Sequence, residues 1–221
     1  MSEHPLATLI RAAAAGEFPA ADAGWRRVPP WRDGVEAVVA FTGHAVLAIS
    51  DRVADDELTK LGVDGLGGAH HPAVIAALAD GGWIDSLDSL LVGVGTGAWE
   101  ARGTGGHLIT RPDLAGHPRV GFAQRVRDDV RVLGRTDATD TSVVVLARGI
   151  GGLTELSFEL DQSRRGAGGG TALVRAGLAA VPAGELVVAA CAPGNAASMR
   201  ALLRAGCSPV GSIQLFTPGR P

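Results

Sequence analysis

The sequence predicts a mixed α/β fold, on three observations. Hydrophobic residues make up 46% of the 221 positions and charged residues 19%, which is enough apolar side chain for a folded core and too little charge for a disordered chain. Short β-branched runs such as Ser142–Arg148 (SVVVLAR) alternate with segments whose apolar residues recur at helical spacing. A glycine-rich stretch, Arg165-Gly166-Ala167-Gly168-Gly169-Gly170, lies between one strand-like and one helix-like segment.

Taken in order, residues 4–16 read as a helix with Leu6, Leu9, Ile10 and Ala13 on one face. Residues 17–34 carry prolines and glycines and read as irregular. Glu36–Ile49 suits two strands turning at Thr42-Gly43, and Asp55–Leu61 a short helix. Pro72 near the start of His71–Ala79 fits the first turn of a helix. Trp83–Val94 contains the apolar run of a strand. Residues 95–118 are rich in Gly and Pro and mark a lobe boundary, which gives an N-terminal lobe over 1–115 and a second lobe over 116–221. In the second lobe, Phe122–Gly134 reads as a helix passing into a strand, followed by strands at 142–148 and 153–160. The glycine-rich loop comes next, then a helix over Gly170–Val181 and a strand over Glu185–Ala192. A helix over Asn195–Ala205 is stopped by Gly206, and a last strand covers Val210–Phe216.

Composition excludes several function classes. The net charge of −3, with no basic stripe, predicts no nucleic-acid partner. No apolar run reaches the length of a membrane span, and the N-terminal stretch lacks the basic and apolar regions of a signal peptide, so no membrane association and a cytoplasmic location are expected. Cys191 and Cys207 lack the spacing of a metal or redox pair and read as buried thiols. His70-His71 precede a helix without the spacing of a ligand pair, so no metal is expected. His44 reads as a core histidine, while His107 and His117 fall in the connector. Trp25, Trp31, Trp83 and Trp99 fill core or line an acceptor pocket.

The glycine-rich loop carries the chemistry. At a helix N-terminus the first backbone N–H groups have no intrahelical acceptor, and the helix dipole adds positive character, so an anion fits there. Glycines let that backbone approach a diphosphate without Cβ clashes. A nucleotide P-loop would end in Gly-Lys-Ser/Thr, and no such lysine is present. A dinucleotide loop wants a third glycine where Thr171 stands. The remaining pattern, Arg/Gln-x-x-Gly-x-Gly/Ala, is matched by Arg165, Gly168 and Gly170.

In these residues the chain resembles the GNAT superfamily of N-acetyltransferases. The likeness runs over residues 153–216: a strand, the RGAGGG loop opening a helix, a second strand leading into Pro193-Gly194-Asn195, and a helix ending at Gly206 before Pro209-Val210-Gly211. The resemblance implies a splayed, mostly antiparallel sheet flanked by helices, here with an enlarged N-terminal lobe that supplies acceptor binding or forms a degenerate GNAT-like half. It implies acetyl-CoA as cosubstrate. The backbone of Phe158 and Leu160 would pair with its pantetheine arm, the amides of Arg165, Gly166, Ala167, Gly168, Gly169, Gly170 and Thr171 would hold its diphosphate, and Asn195 would touch the arm or the reacting centre while capping its helix, its plain alternative being a cap alone. The partners implied are a small-molecule or peptide amine acceptor and, for a homodimer, a second copy of the chain. The amine would attack the thioester directly, with no acyl-enzyme.

Glu155 on the strand before the loop is the expected proton acceptor, its plain alternative being a structural carboxylate. Ser198 is the expected acid toward the leaving thiolate, its alternative being an ordinary first-turn residue. The chain departs from the family pattern in two respects that bear on turnover. The slot that often carries a tyrosine acid holds Leu202, the aromatic after Gly206 is replaced by Cys207, and the sequence contains no tyrosine. A non-catalytic acyl-CoA-binding module is therefore the rival reading, and a dinucleotide-dependent oxidoreductase with a parallel sheet is a more distant one.

Overall fold

The computed structural model describes residues 3–98, 108–166 and 168–219. The chain divides into two compact units, one of residues 1–90 with 209–221 and one of residues 91–208. The last strand, from Pro209 onward, belongs with the first unit.

The first unit opens with α1 (Pro5–Ala14), started by His4, whose ring accepts a hydrogen bond from Leu6 N. Leu6, Ala7, Ile10 and Ala13 are buried, so the apolar face lies one residue away from Leu9. Residues 17–34 are not wholly irregular: β1 (Trp25–Val28) pairs in parallel with β3 (His44–Ala48). Its two arginines conceal the strand in the sequence, and Arg27 is held there by Asp55 at 2.6 Å. β2 (Glu36–Phe41) and β3 form the expected hairpin, with Gly43 at φ 72° in the turn. β10 (Ser208–Thr217) adds antiparallel to β2 and places Phe216 opposite Glu36. Two short helices, α2 (Asp55–Lys60) and α3 (Pro72–Ala79), contribute Leu58, Val74, Ile75 and Leu78 to the same buried cluster as Val38, Leu47 and Phe216. β4 (Trp83–Val94) carries the chain into the second unit.

In the second unit the strands run in the order β9-β8-β7-β6-β5. They are β5 (Ile109–Thr110), β6 (Asp128–Gly134), β7 (Val143–Arg148), β8 (Thr154–Glu159) and β9 (Leu186–Cys191). All neighbouring pairs are antiparallel except β8–β9, which is parallel. Side chains alternate between the two faces of the sheet. Val143 and Val145 of β7 pack with Val120 and Ala123 of α4 (Pro118–Val126) on one face. Val144, Leu146 and Leu156 point the other way and join Leu173, Val174 and Leu178 of α5 (Gly169–Ala179) and Leu202 of α6 (Ala196–Arg204). This mixed α/β, mostly antiparallel layering is the fold class the sequence predicts. Arg175 of α5 also donates to the carbonyl of Arg204 at 2.7 Å, satisfying one of the orphan acceptors at the end of α6.

Several histidines and tryptophans have structural places. His71 and His117 cap α3 and α4, each accepting from a first-turn amide. Buried His44 hydrogen-bonds Asp22 at 2.9 Å, and His70 faces the Ser212 hydroxyl at 3.2 Å. Trp25 packs against the core of the first unit, and Trp31 meets the His4 ring edge-on. Trp99 and His107 lie outside the described residues.

Candidate functional site

β8 is paired along its whole length with β7, from Arg148↔Thr154 to Val143↔Glu159. On its other edge it pairs with β9 only at Thr154↔Val187 and Glu155↔Val188. Past Glu155 the two parallel strands part, so β8 presents an unladdered edge over Leu156–Glu159, roughly 13 Å of strand. The closed end is pinned by the Thr154 hydroxyl donating to the Glu185 carboxylate. Alternate backbone N–H and C=O groups of the open edge face the gap, which suits an extended ligand that completes the ladder. The gap lies at the carboxyl ends of parallel strands, where α/β sheets place their ligands.

The glycine-rich loop stands at the mouth of this gap, joining the end of β8 to α5. Gly166 (φ 102°) and Gly168 (φ 78°) adopt backbone conformations that side chains disfavour, which explains the residue type at both positions. Gly168 is the N-cap of α5 and offers no side chain to the helix, whose first turn carries no acidic residue. The leading amides of Gly169 and Gly170 are thus left for an external acceptor, with Thr171 next in the turn. A Cβ at Gly169 would lie 2.9 Å from the Arg164 carbonyl and 3.1 Å from Leu160 Cδ2. At Gly170 it would lie 3.3 Å from Ala201 Cβ and 3.7 Å from Phe158 Cε2. The two glycines therefore let the loop, α5, α6 and the end of β8 close on one another. Phe158 and Leu160 are half-buried against the core of the unit. Arg165 is exposed and makes no ion pair among the described residues. Ala167 lies outside the described residues.

α6 begins beside the loop. Asn195 caps it as its residue type suggests, its Oδ1 accepting from Ser198 N at 3.2 Å. Ser198 is half-buried, and its hydroxyl makes no hydrogen bond among the described residues. Leu202 is 2% exposed inside the core, so that slot is a packing position. Cys207 is buried as well, and desolvation pushes its thiol up to about 11, which keeps it protonated at neutral pH.

Glu155 occupies a different environment from the one expected of a proton acceptor. It is 1% exposed, and its Oε1 lies 2.5 Å from the Arg127 guanidinium. Its Oε2 accepts from Ile150 N at 3.2 Å and fills the space a Cβ at Gly149 would need. Both oxygens are engaged by the protein, as in the structural alternative. Arg127 also donates to the Ser157 hydroxyl at 2.9 Å, and Arg119 reaches Glu159 at 3.4 Å. The polar face of β8 is thus matched by arginines of α4 and of the residue after it. The sequence offered no signal for Arg127, because its partners lie 28 and 30 residues away on another element.

Among the described residues no group of three His, Cys, Asp or Glu side chains is placed to hold a metal ion, and no helix is long and apolar enough to cross a membrane. No family model matches the chain, and no curated protein matches it in sequence. Two solved structures resemble it. An acetyltransferase of the GNAT family from Colwellia psychrerythraea aligns over 62% of this chain and 57% of its own, at 11% identity and a TM-score of 0.36. A GCN5-related N-acetyltransferase from Kribbella flavida aligns over 67% of this chain and 65% of its own, at 19% identity and a TM-score of 0.40. The chain thus spans less than two thirds of the length of either.

Proposed function

We propose that the second unit binds acetyl-CoA and that the protein is a GNAT-type N-acetyltransferase acting on an amine. The observation that carries this reading is the parting of β8 and β9 after two residue pairs, immediately beside a glycine-rich loop that opens α5. An extended arm ending in a diphosphate satisfies both features at once: the arm completes the ladder along β8, and the diphosphate meets the amides from Arg165 to Thr171. Phe158 and Leu160 supply backbone groups to the arm, and Asn195 stands at the start of α6 on the far side.

Acetyl-CoA supplies an activated thioester, so the protein's part is positioning and polarisation. The strand edge orients the arm, and the gap's closed end at Thr154–Glu155 limits how far it enters. Ser198, with a hydroxyl free among the described residues, is the group assigned to return a proton to the departing thiolate. Glu155 accepts the proton of the amine only if the Arg127 pair loosens, so its assignment as base stands or falls on a variant. Glu155→Gln leaves the buried Arg127 guanidinium without its counter-charge and lowers the melting temperature in either case. If Glu155 is the base, the folded variant also loses kcat with an unchanged KM for acetyl-CoA; if the pair is only structural, the folded variant keeps its kcat.

A second reading, a non-catalytic acyl-CoA-binding module, is favoured by the enclosed Glu155 and by Leu202 in the core where a phenol would be needed. Calorimetric titration with CoA, followed by thiol release across a panel of amines, decides between them. Binding with amine-dependent thiol release supports the transferase. Binding with no release from any amine supports the module, and no binding of CoA or acetyl-CoA overturns both.

A further inference from the structure

The segment leading into the diphosphate loop is tied to a turn from elsewhere in the second unit. Asp161, the residue after Leu160, accepts from Thr141 Oγ1 at 2.5 Å and Thr141 N at 3.2 Å through one oxygen. Its other oxygen accepts from Ser163 N at 2.8 Å and Ser163 Oγ at 2.7 Å. Its own amide donates to Ser142 Oγ at 2.9 Å. Three residues on, Arg164 donates to Asp137 Oδ2 at 3.0 Å and lies 3.8 Å from Asp140 Oδ2. Asp140 is buried and its Oδ2 has no hydrogen bond, so two guanidiniums, those of Arg164 and of Arg135 at 3.5 Å, compensate its charge.

The turn is itself a built structure. Arg111, 4% exposed, donates to the carbonyls of Arg135, Asp137, Ala138 and Asp140, and Asp113 neutralises it. The β6–β7 turn is therefore wrapped on a buried guanidinium. Its outer rim then offers Asp137, Asp140 and Thr141 to the loop. Hydrogen bonds to Asp161 hold its carboxyl well below the usual carboxylate range, so the contact persists at any pH near neutrality.

We propose that Asp161 and Arg164 are positioning residues that latch the diphosphate loop to the β6–β7 turn, and that Arg164 is not itself a phosphate ligand. The inference rests on the acyl-CoA reading above. A glycine-rich loop with two residues at positive φ loses much conformational freedom on ordering. A latch bears that loss at folding rather than at ligand binding, which is preorganisation in the strict sense. Arg164 has its charge matched by Asp137 and Asp140, whereas Arg165, next to the first loop glycine, has no such partner among the described residues. The two adjacent arginines thus have separate tasks, one facing the protein and one facing the ligand.

Asp137→Asn separates the two roles of Arg164 by sign. If Arg164 were a phosphate ligand held back by Asp137, the variant would bind CoA more tightly. If Arg164 is a latch, the variant binds CoA more weakly, by roughly threefold to tenfold, the range expected when one or two ordered side chains are released. Arg164→Ala and Asp161→Ala weaken binding in the same way, raise KM for acetyl-CoA and leave kcat at saturation unchanged. Hydrogen exchange supplies a readout that needs no ligand: the amides of residues 162–166 and 168–170 lose protection in the variants while those of β7 and β8 keep it. Tighter binding by Asp137→Asn, or unchanged exchange in all three variants, overturns the latch. A wild-type protein that binds no CoA overturns the acyl-CoA reading instead, with the exchange data still deciding whether the loop is latched.

Discussion

Arg127 and Glu155 show how closely a functional assignment can depend on a single pair of residues. Glu155 has the residue type and strand position of a base, yet it sits 1% exposed in a bidirectional contact with a guanidinium and a backbone amide. Removing one member of a buried pair leaves the other charged and unpaired, so Arg127→Ala is expected to cost about 3–5 kcal/mol. Replacing both, as Arg127→Met with Glu155→Leu, is expected to cost much less than the two single changes together. Chemical denaturation of the four proteins measures this coupling, and additive losses would show that the pair does not act as a unit. Residue types alone made Asn195 legible as a cap and the loop glycines legible as a backbone device, because both depend on neighbours in sequence. Arg127, Arg111 and Asp161 were not legible, because their roles depend on partners brought close only by the sheet.

At the scale of elements, the agreement between sequence and structure follows the strength of the local pattern. β7 is a run of β-branched residues and α5 has apolar residues at helical spacing, and both lie where the periodicity places them. β1 was hidden among prolines and arginines, since a four-residue strand paired with β3 alone needs no apolar alternation. That the sheet splays was reached only through family resemblance, because nothing in the residues of β8 or β9 says where a ladder stops. The loop that fills its mouth tolerates little change. A methyl group at Gly169 would meet the Arg164 carbonyl at 2.9 Å, and backbone cannot swing aside as a flexible side chain can. Gly169→Ala is therefore expected to weaken CoA binding about tenfold or more by displacing the loop. Gly184→Ala, at the turn before β9, has positive φ but open space around it and serves as the control. It is expected to lose about 1 kcal/mol of stability and to keep its CoA affinity, as calorimetry and thermal melts of the two variants will show.

For the whole molecule, the division into units cuts across the order of the chain. Residues 209–221 belong with residues 1–90, and Phe216, fully buried, shares a cluster with Leu47, Leu58 and Leu78. Ending the chain after Ser208 removes β10 from Pro209 onward and with it one of the two antiparallel partners of β2. Such a truncation is expected to expose the first unit to proteolysis while residues 108–206 keep their hydrogen-exchange protection. Phe216→Ala is the milder version, at about 3–5 kcal/mol. Equal protection of both units in the truncated chain would show that β10 is dispensable. Composition shows a Gly- and Pro-rich connector over 95–118 but gives no sign that a strand near the end of the sequence joins the first unit.

That return has a consequence for how the protein is made. A ribosome releases the amino-terminal residues long before it adds Ser208–Thr217, so β2 leaves the exit tunnel with one edge bare and waits through the synthesis of more than half the chain. Residues 91–208, the second unit, precede Pro209–Thr217 in the chain and do not wait for them, whereas the first unit begins earlier and is completed later. Bare β-edges are the surfaces at which nascent chains stick to one another, so the hairpin of Glu36–Ala48 keeps one such edge open until Ser208–Thr217 docks.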